Sequence, residues 1–330
     1  MRKIPQLRNL LVLSLLVLYP SLSLALQLVY PEDGTSIRKS NYLIIMAGKN
    51  PPVEGLTVAI NGVDSDIIDI SSTEYRQAFG DKLILMPEFD PGPNALVVKS
   101  YTQGKLVDRV EAEIFYAVNP WDDTPEQYPP FVMHLPENEA LCAPCHNMDP
   151  SPEEFNNYDP RRNPCNSCHK RMIHRKHVHG PAGVLECATC HDATSRPAKY
   201  GIEGSGNSLC LECHDDKYQE FNEQKYIHGP VETGDCLVCH DPHAAEEYSQ
   251  VRTRINTLCQ ACHEAFGDGS HVLRGVGGKI HPVAGKNDPL RMGRELICTS
   301  CHDPHAGKAK AYFIADMTSR MGLCQHCHQK

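Results

Sequence analysis

The first 141 residues contain no cysteine, the whole chain has a single tryptophan, Trp121, and no apolar run after residue 25 approaches the length of a membrane span. Each absence excludes something. A cysteine-free amino-terminal third cannot be a disulfide scaffold. A bilayer core of about 30 Å needs about 20 consecutive apolar residues, so no membrane span is expected once the amino-terminal segment is removed. Cations are also in deficit, with 32 Lys and Arg against 41 Asp and Glu and a formal charge of −9, which argues against nucleic acid or anionic lipid as a partner. Core-forming residues thin out along the chain: Ile, Leu, Val and Phe make up 29 of the 95 residues from Leu26 to Pro120 but only 32 of the 200 from Phe131 to Lys330. The first share can build its own core. The second falls below the level of about 20% associated with disorder, so something other than side chains must fill that interior.

What the second region does have is sixteen cysteines, all in one pattern. They form eight copies of Cys-x-x-Cys-His, with the pairs Cys142 and Cys145, Cys165 and Cys168, Cys187 and Cys190, Cys210 and Cys213, Cys236 and Cys239, Cys259 and Cys262, Cys298 and Cys301, and Cys324 and Cys327. Directly after the second cysteine stand His146, His169, His191, His214, His240, His263, His302 and His328. Disulfides, zinc ribbons and thioredoxin-like pairs do not require a histidine there every time. Covalent haem c does: two thiols one turn apart form thioethers with the porphyrin, and the adjacent imidazole reaches the iron. Eight haems c are therefore expected, using every cysteine. Their apolar mass would supply the core that the second region lacks, so this region should be unfolded without them.

Arg2, Lys3 and Arg8 precede the apolar run Leu10 to Leu18, and Ser23-Leu24-Ala25 offers small residues at the positions a signal peptidase reads. Residues 1–25 are accordingly expected to be a cleaved signal peptide and the protein to be exported, to a periplasmic or extracellular location. Loss of those three cations takes the formal charge from −9 to −12. Cationic faces of redox proteins and metal ions or oxides suit such a surface.

Seven β-rich runs lie between turn signals in the amino-terminal region: Leu26 to Tyr30, Tyr42 to Ala47, Leu56 to Ile60, Asp66 to Ile70, Lys82 to Met86, Ala95 to Ser100 and Leu106 to Tyr116. That arithmetic predicts an all-β sandwich over residues 26–118. Asn61-Gly62 and Gln103-Gly104 mark tight turns, and Asp90-Pro-Gly-Pro-Asn94 resembles turns of bacterial immunoglobulin-like modules. Asp64, Asp66 and Asp69 read as a solvated acidic edge rather than calcium ligands. Residues 119–130, with four prolines around Trp121, read as a stiff linker. The haem-binding region, 131–330, should be mostly short helices and irregular chain, with helices near Pro152 to Asn157 and Asp215 to Ile227 and loops at Gly201 to Gly206 and Gly267 to Gly278.

The motif spacings group the haems. First cysteines lie 23 residues apart between motifs one and two, three and four, and five and six, and 26 apart between seven and eight, which gives four pairs. His179-Gly-Pro and His228-Gly-Pro each precede a first cysteine by eight residues, and Cys239-His240-Asp-Pro-His243 matches Cys301-His302-Asp-Pro-His305. In these phrases the chain resembles octahaem c-type cytochromes of the doubled Cys-x-x-Cys-His family, over about 60% of its length, here joined to an immunoglobulin-like domain. Ten histidines lie outside the proximal positions, and eight haems with two imidazoles each need eight of them. The repeat nominates His134, His179, His228 and His281 upstream of the pairs, His243 and His305 after a proximal histidine, and His177 and His271 to complete the set. His174 competes with His177, and His326 reads as a bystander. Because His243 follows His240 by three residues, both rings leave one face of the turn, so His243 must serve a different haem. The same holds for His305 and His302. Asp149 and Thr194 stand at the equivalent place in the first two pairs, where no such strap forms.

The expected function is electron carriage outside the cytoplasm along low-potential bis-histidine haems, with no catalytic residue. The partners are redox proteins or extracellular metal acceptors. Alternatives are a homopolymeric extracellular cytochrome filament, an octahaem oxidoreductase acting on small nitrogen or sulfur compounds, and a subunit of a porin-bound or quinol-linked conduit.

Overall fold

The structure is a computed structural model that describes residues 26–38, 42–48, 52–118, 122–202, 204, 207–264 and 281–328. The proposed signal segment, Trp121, the loop expected at Gly267 to Gly278 and His271 lie outside the described residues. The chain forms two compact units, one drawn from Met1–Thr35 and Asn41–Tyr116, the other from Ser36–Ser40 and Ala117–Lys330.

The first unit is β-rich. One antiparallel sheet has Leu43–Ala47 between Leu26–Tyr30 and Lys82–Leu85. A second runs Lys105–Tyr116, Gly92–Thr102, Gly55–Ile60, Val63–Asp64, with Ile68–Asp69 also paired to Gly55–Ile60. Strict alternation sets which faces are buried: Leu43, Ile45 and Ala47 are buried in the first sheet, and Leu96, Val98 and Ser100 in the second. Both two-residue turns come from the expected dipeptides, with positive φ at Asn61 (51°) and Gly62 (83°) and at Gln103 (51°) and Gly104 (72°), as hairpins with right-handed twist need. Asn94, fully buried, closes the Asp90 to Asn94 turn by donating to the carbonyls of Asp90 (2.7 Å) and Gly92 (2.9 Å).

Two details differ from the sequence expectation. The run Asp66 to Ile70 is only the two-residue strand Ile68–Asp69, because the Asp69 carboxylate accepts from the Ser71 N–H and hydroxyl, both at 2.7 Å, and ends the ladder. A short exposed helix, Thr73–Phe79, follows it, capped by Ser72 and stopped at Gly80.

The second unit consists of short helices and irregular chain. Each of the eight motifs has its first cysteine in a helix or 3-10 turn, for example Pro164–His169, Cys187–Thr189 and Arg320–Cys327. The turn is closed by the histidine N–H donating to the carbonyl of the first cysteine, at 3.0 Å in His146, 2.9 Å in His191 and 3.0 Å in His240. That one bond places two sulfurs and an imidazole on one side of the turn. The helix expected from Pro152 is Pro152–Phe155, and the one expected over Asp215 to Ile227 starts earlier and ends earlier, as Ser208–Asn222 with a break in helical geometry at His214. Tyr226–Ile227 is a strand instead, pairing with Ala306–Gly307, and His177–Val178 pairs likewise with Ala244–Ala245. Among the described residues from Phe131 onward only nine hydrophobic side chains are buried, among them Phe155, Leu185, Leu258 and Leu323, against sixteen in the much smaller β-rich unit.

Candidate functional site

The polar frame under the motifs is built from buried and half-buried side chains. Asn163 accepts from the N–H of Cys165 at 3.0 Å and donates to the carbonyl of Asn157, fixing the entry to motif two. Asn256 accepts from the N–H of Cys298 at 2.9 Å, tying motif seven to the helix of motif six. Buried Asp288 accepts from Arg291 and from Ser300 inside motif seven, each at 2.7 Å. None of the sixteen cysteines pairs with another in a disulfide.

Histidines face one another in six pairs. Ring centroids are separated by 6.0 Å in His134 and His169, 6.2 Å in His179 and His214, 6.0 Å in His191 and His243, 6.1 Å in His228 and His263, 6.2 Å in His240 and His305, and 6.3 Å in His281 and His328. Two imidazoles bonded to one metal at about 2 Å each, the usual metal–nitrogen distance, put their centroids about 6 Å apart. Every pair joins one proximal histidine to one from outside the motifs. No histidine ring stands at such a separation from His146 among the described residues, and His177 faces Tyr248 edge-on at 5.5 Å instead. His174 is exposed.

Backbone pairing explains how these partners arrive. The His179 N–H donates to the carbonyl of His243, and the His228 N–H to that of His305, both at 2.9 Å. Each two-stranded ribbon therefore sets two such histidines side by side, one from before a motif pair and one from the Asp-Pro-His segment of the next. The Nδ1 atoms are also engaged. His191, His240 and His302 each donate from Nδ1 to a carbonyl nine residues on, that of Tyr200 (2.8 Å), Ser249 (2.9 Å) and Ala311 (2.5 Å). That fixes the proton on Nδ1 and, in His191 and His240, leaves Nε2 for the opposing ring, as a metal-ligating histidine requires. Tyr200 and Ser249 adopt positive φ, at 63° and 57°, in the loops that return these carbonyls, which nothing in the sequence signalled. Burial, reinforced by His134, His243 and His191, pushes His169 down to about 4, and burial lowers His240 and His228, so these rings are neutral and able to ligate.

Successive pairs also touch through sulfur. Cys165 is hydrogen-bonded to Cys187, which raises the first thiol and lowers the second to about 7, and Cys259 and Cys298 do the same. Cys210 and Cys236 are hydrogen-bonded as well. The second motif of one pair thus meets the first motif of the next at all three junctions. Around these groups runs a continuous cavity of about 2630 Å³, lined by residues including His146, Cys187, Leu209, Cys259 and Tyr312. Ordinary small-molecule pockets hold about 300–1,000 Å³, so this space suits several large apolar groups. The thiol pairs, the opposed neutral imidazoles and the cavity fit haem c.

A family model described as the doubled CXXCH motif matches residues 179–219, 228–268 and 287–330. The matched segments contain motifs three to eight, and the first two open on His179 and His228. Such paired motifs indicate covalently bound haem c. No curated protein matches the chain. Among solved structures the chain is similar to a β-glucuronidase of Bacteroides uniformis, with 11% identity, a TM-score of 0.21, and 28% of this chain and 11% of that one covered. It is similar to fibronectin(III)-like modules of Clostridium thermocellum CbhA, with 9% identity, a TM-score of 0.23, and 31% and 50% covered. The β-glucuronidase of Parabacteroides merdae gives 14% identity, a TM-score of 0.21, and 27% and 11% covered. The chain spans about a tenth of these glucuronidases, and likenesses this weak carry no argument. Among the described residues no helix is long and apolar enough to cross a membrane.

Proposed function

We propose that the protein is an exported octahaem cytochrome c that carries electrons between donors and acceptors outside the cytoplasm. The observation that carries this reading is the set of six opposed histidine pairs, each with one motif histidine. In it, motif two uses His169 and His134, motif three His191 and His243, motif four His214 and His179, motif five His240 and His305, motif six His263 and His228, and motif eight His328 and His281. His146 and His302 are the proximal ligands of motifs one and seven, and His177 and His271 are the candidates for their opposite faces. When bound, haem c supplies reversible one-electron exchange at iron. Two imidazoles on each iron leave no position for substrate, which favours carriage over catalysis. The motif cysteines adjoin at the three junctions, which would bring the groups they hold close to one another, as a conducting series needs. The region Leu26 to Val118 is read as an immunoglobulin-like docking domain, 119–130 as its linker, and 1–25 as the export signal.

The test is spectroscopic. The purified, oxidised protein should contain six-coordinate low-spin iron, and a potentiometric titration should span a broad low-potential range. A dominant high-spin population would overturn the ligand assignment and with it the carrier reading.

A further inference from the structure

Five of the paired histidines from outside the motifs differ in what their outer nitrogen meets. His243 Nδ1 lies 3.3 Å from the Asp241 carboxylate and His305 Nδ1 lies 3.3 Å from that of Asp303. His134 Nδ1 lies 3.0 Å from Glu139, which is buried. By contrast, His228 Nδ1 donates to the carbonyl of Pro304 and His281 Nδ1 to that of Pro282, both at 2.9 Å. A carboxylate behind an imidazole draws its proton outward, makes the ring a stronger donor and adds a negative charge near the metal. Both effects favour the ferric state. A neutral carbonyl does this only weakly.

We propose that Asp241, Asp303 and Glu139 are positioning residues that hold the reduction potentials at motifs three, five and two below those at motifs six and eight. This rests on the ligand assignment above. An electron delivered to the protein then comes to rest preferentially toward the carboxyl-terminal motifs, which become the exit side of the chain. The three carboxylates are not equal. Lys199 Nζ sits 2.9 Å from the second oxygen of Glu139 and offsets its charge, while Arg252 is 3.9 Å from Asp241. The largest effect belongs to Asp303, because Asp241, 3.3 Å from His243 Nδ1, makes no hydrogen bond to it and acts through its charge alone.

The local geometry makes the charge separable from the fold. In each Asp-Pro-His segment the carboxylate also accepts the backbone N–H of the histidine, at 3.1 Å in Asp241 and 2.9 Å in Asp303. Asparagine keeps that acceptor and removes the charge.

The experiment is a potentiometric titration of the full-length holoprotein and of Asp241→Asn, Asp303→Asn and the double variant, followed by visible and electron paramagnetic resonance spectra. Asp303→Glu serves as the rescue and Asp316→Asn, an exposed carboxylate paired with Lys308, as the control. Each Asn variant should shift about one haem in eight upward by about tenfold in its redox equilibrium, about 59 mV for one electron. The double variant should shift two. The rescue should return its haem to the wild-type position and the control should move nothing. Low-spin irons whose potentials do not move would overturn the inference alone. High-spin iron in the unaltered protein would overturn the ligand assignment and the inference with it.

Discussion

Replacing His243 by alanine should strip one iron of a ligand, and that iron should belong to motif three rather than to motif five, whose proximal histidine lies three residues away in sequence. The His243 ring stands 6.0 Å from His191, whereas His240 is opposed by His305 at 6.2 Å. A metal–imidazole bond is about 2 Å long and an alanine methyl has no donor atom, so nothing at position 243 can replace the lost bond. One haem of the eight should become high-spin, about an eighth of the total iron, and the other seven should keep their low-spin spectrum. The assay is electron paramagnetic resonance on the oxidised full-length protein, with haem content per chain checked by mass. Adding Cys187→Ala and Cys190→Ala removes the attachment at motif three and should abolish the high-spin signal together with one haem. Adding Cys236→Ala and Cys239→Ala should leave it in place. A signal that survives loss of motif three and disappears with motif five would refute the pairing and the strap geometry behind it.

Other consequences are simpler to check. A pyridine haemochromogen assay combined with intact mass should return eight haems per chain; six, matching only the segments that the family model covers, would show that motifs one and two are not used. The rings of His281 and His328 are nearly perpendicular, at 89°, while the other five pairs lie between 9° and 38°. Perpendicular imidazoles give a highly anisotropic low-spin resonance, so one such component, amounting to one haem, should be present and should vanish in His281→Ala. Asp288→Ala should destabilise the holoprotein by about 2–3 kcal/mol in denaturant unfolding, because it strands Arg291 and Ser300. That is below the 3–5 kcal/mol of a fully buried pair since the Arg291 side chain is 32% exposed, and a loss under about 1 kcal/mol would refute a structural role for this network.

Much of the architecture was legible because it is written in local patterns. Asn61-Gly62 and Gln103-Gly104 name their turns by the positive φ they need, and alternation along Leu43–Ala47 names its buried face. The helix Thr73–Phe79 leaves little trace in the sequence although Ser72 and Gly80 mark its ends, because its seven residues bury no apolar stripe. The strand Tyr226–Ile227 lies in a stretch whose local pattern suits a helix, and its pairing partner, Ala306–Gly307, is some 80 residues away.

For the site, the division follows from the range of the interactions. The Cys-x-x-Cys-His motifs are five-residue objects, so the sequence alone determined their number, their pairing and the histidine that ends each, and the thin hydrophobic content after Phe131 pointed to an interior filled by something other than side chains. It also required His243 and His305 to turn away from their own motifs, since two rings three residues apart on one turn cannot face each other. Which histidine each one meets was decided only by the tertiary structure. The partners His134 and His169, or His228 and His263, are 35 residues apart and are brought together by ribbons, returning loops and buried carboxylates that no local pattern announces. A ring separation near 6 Å is a property of those long-range contacts, and it exists only once the chain has folded.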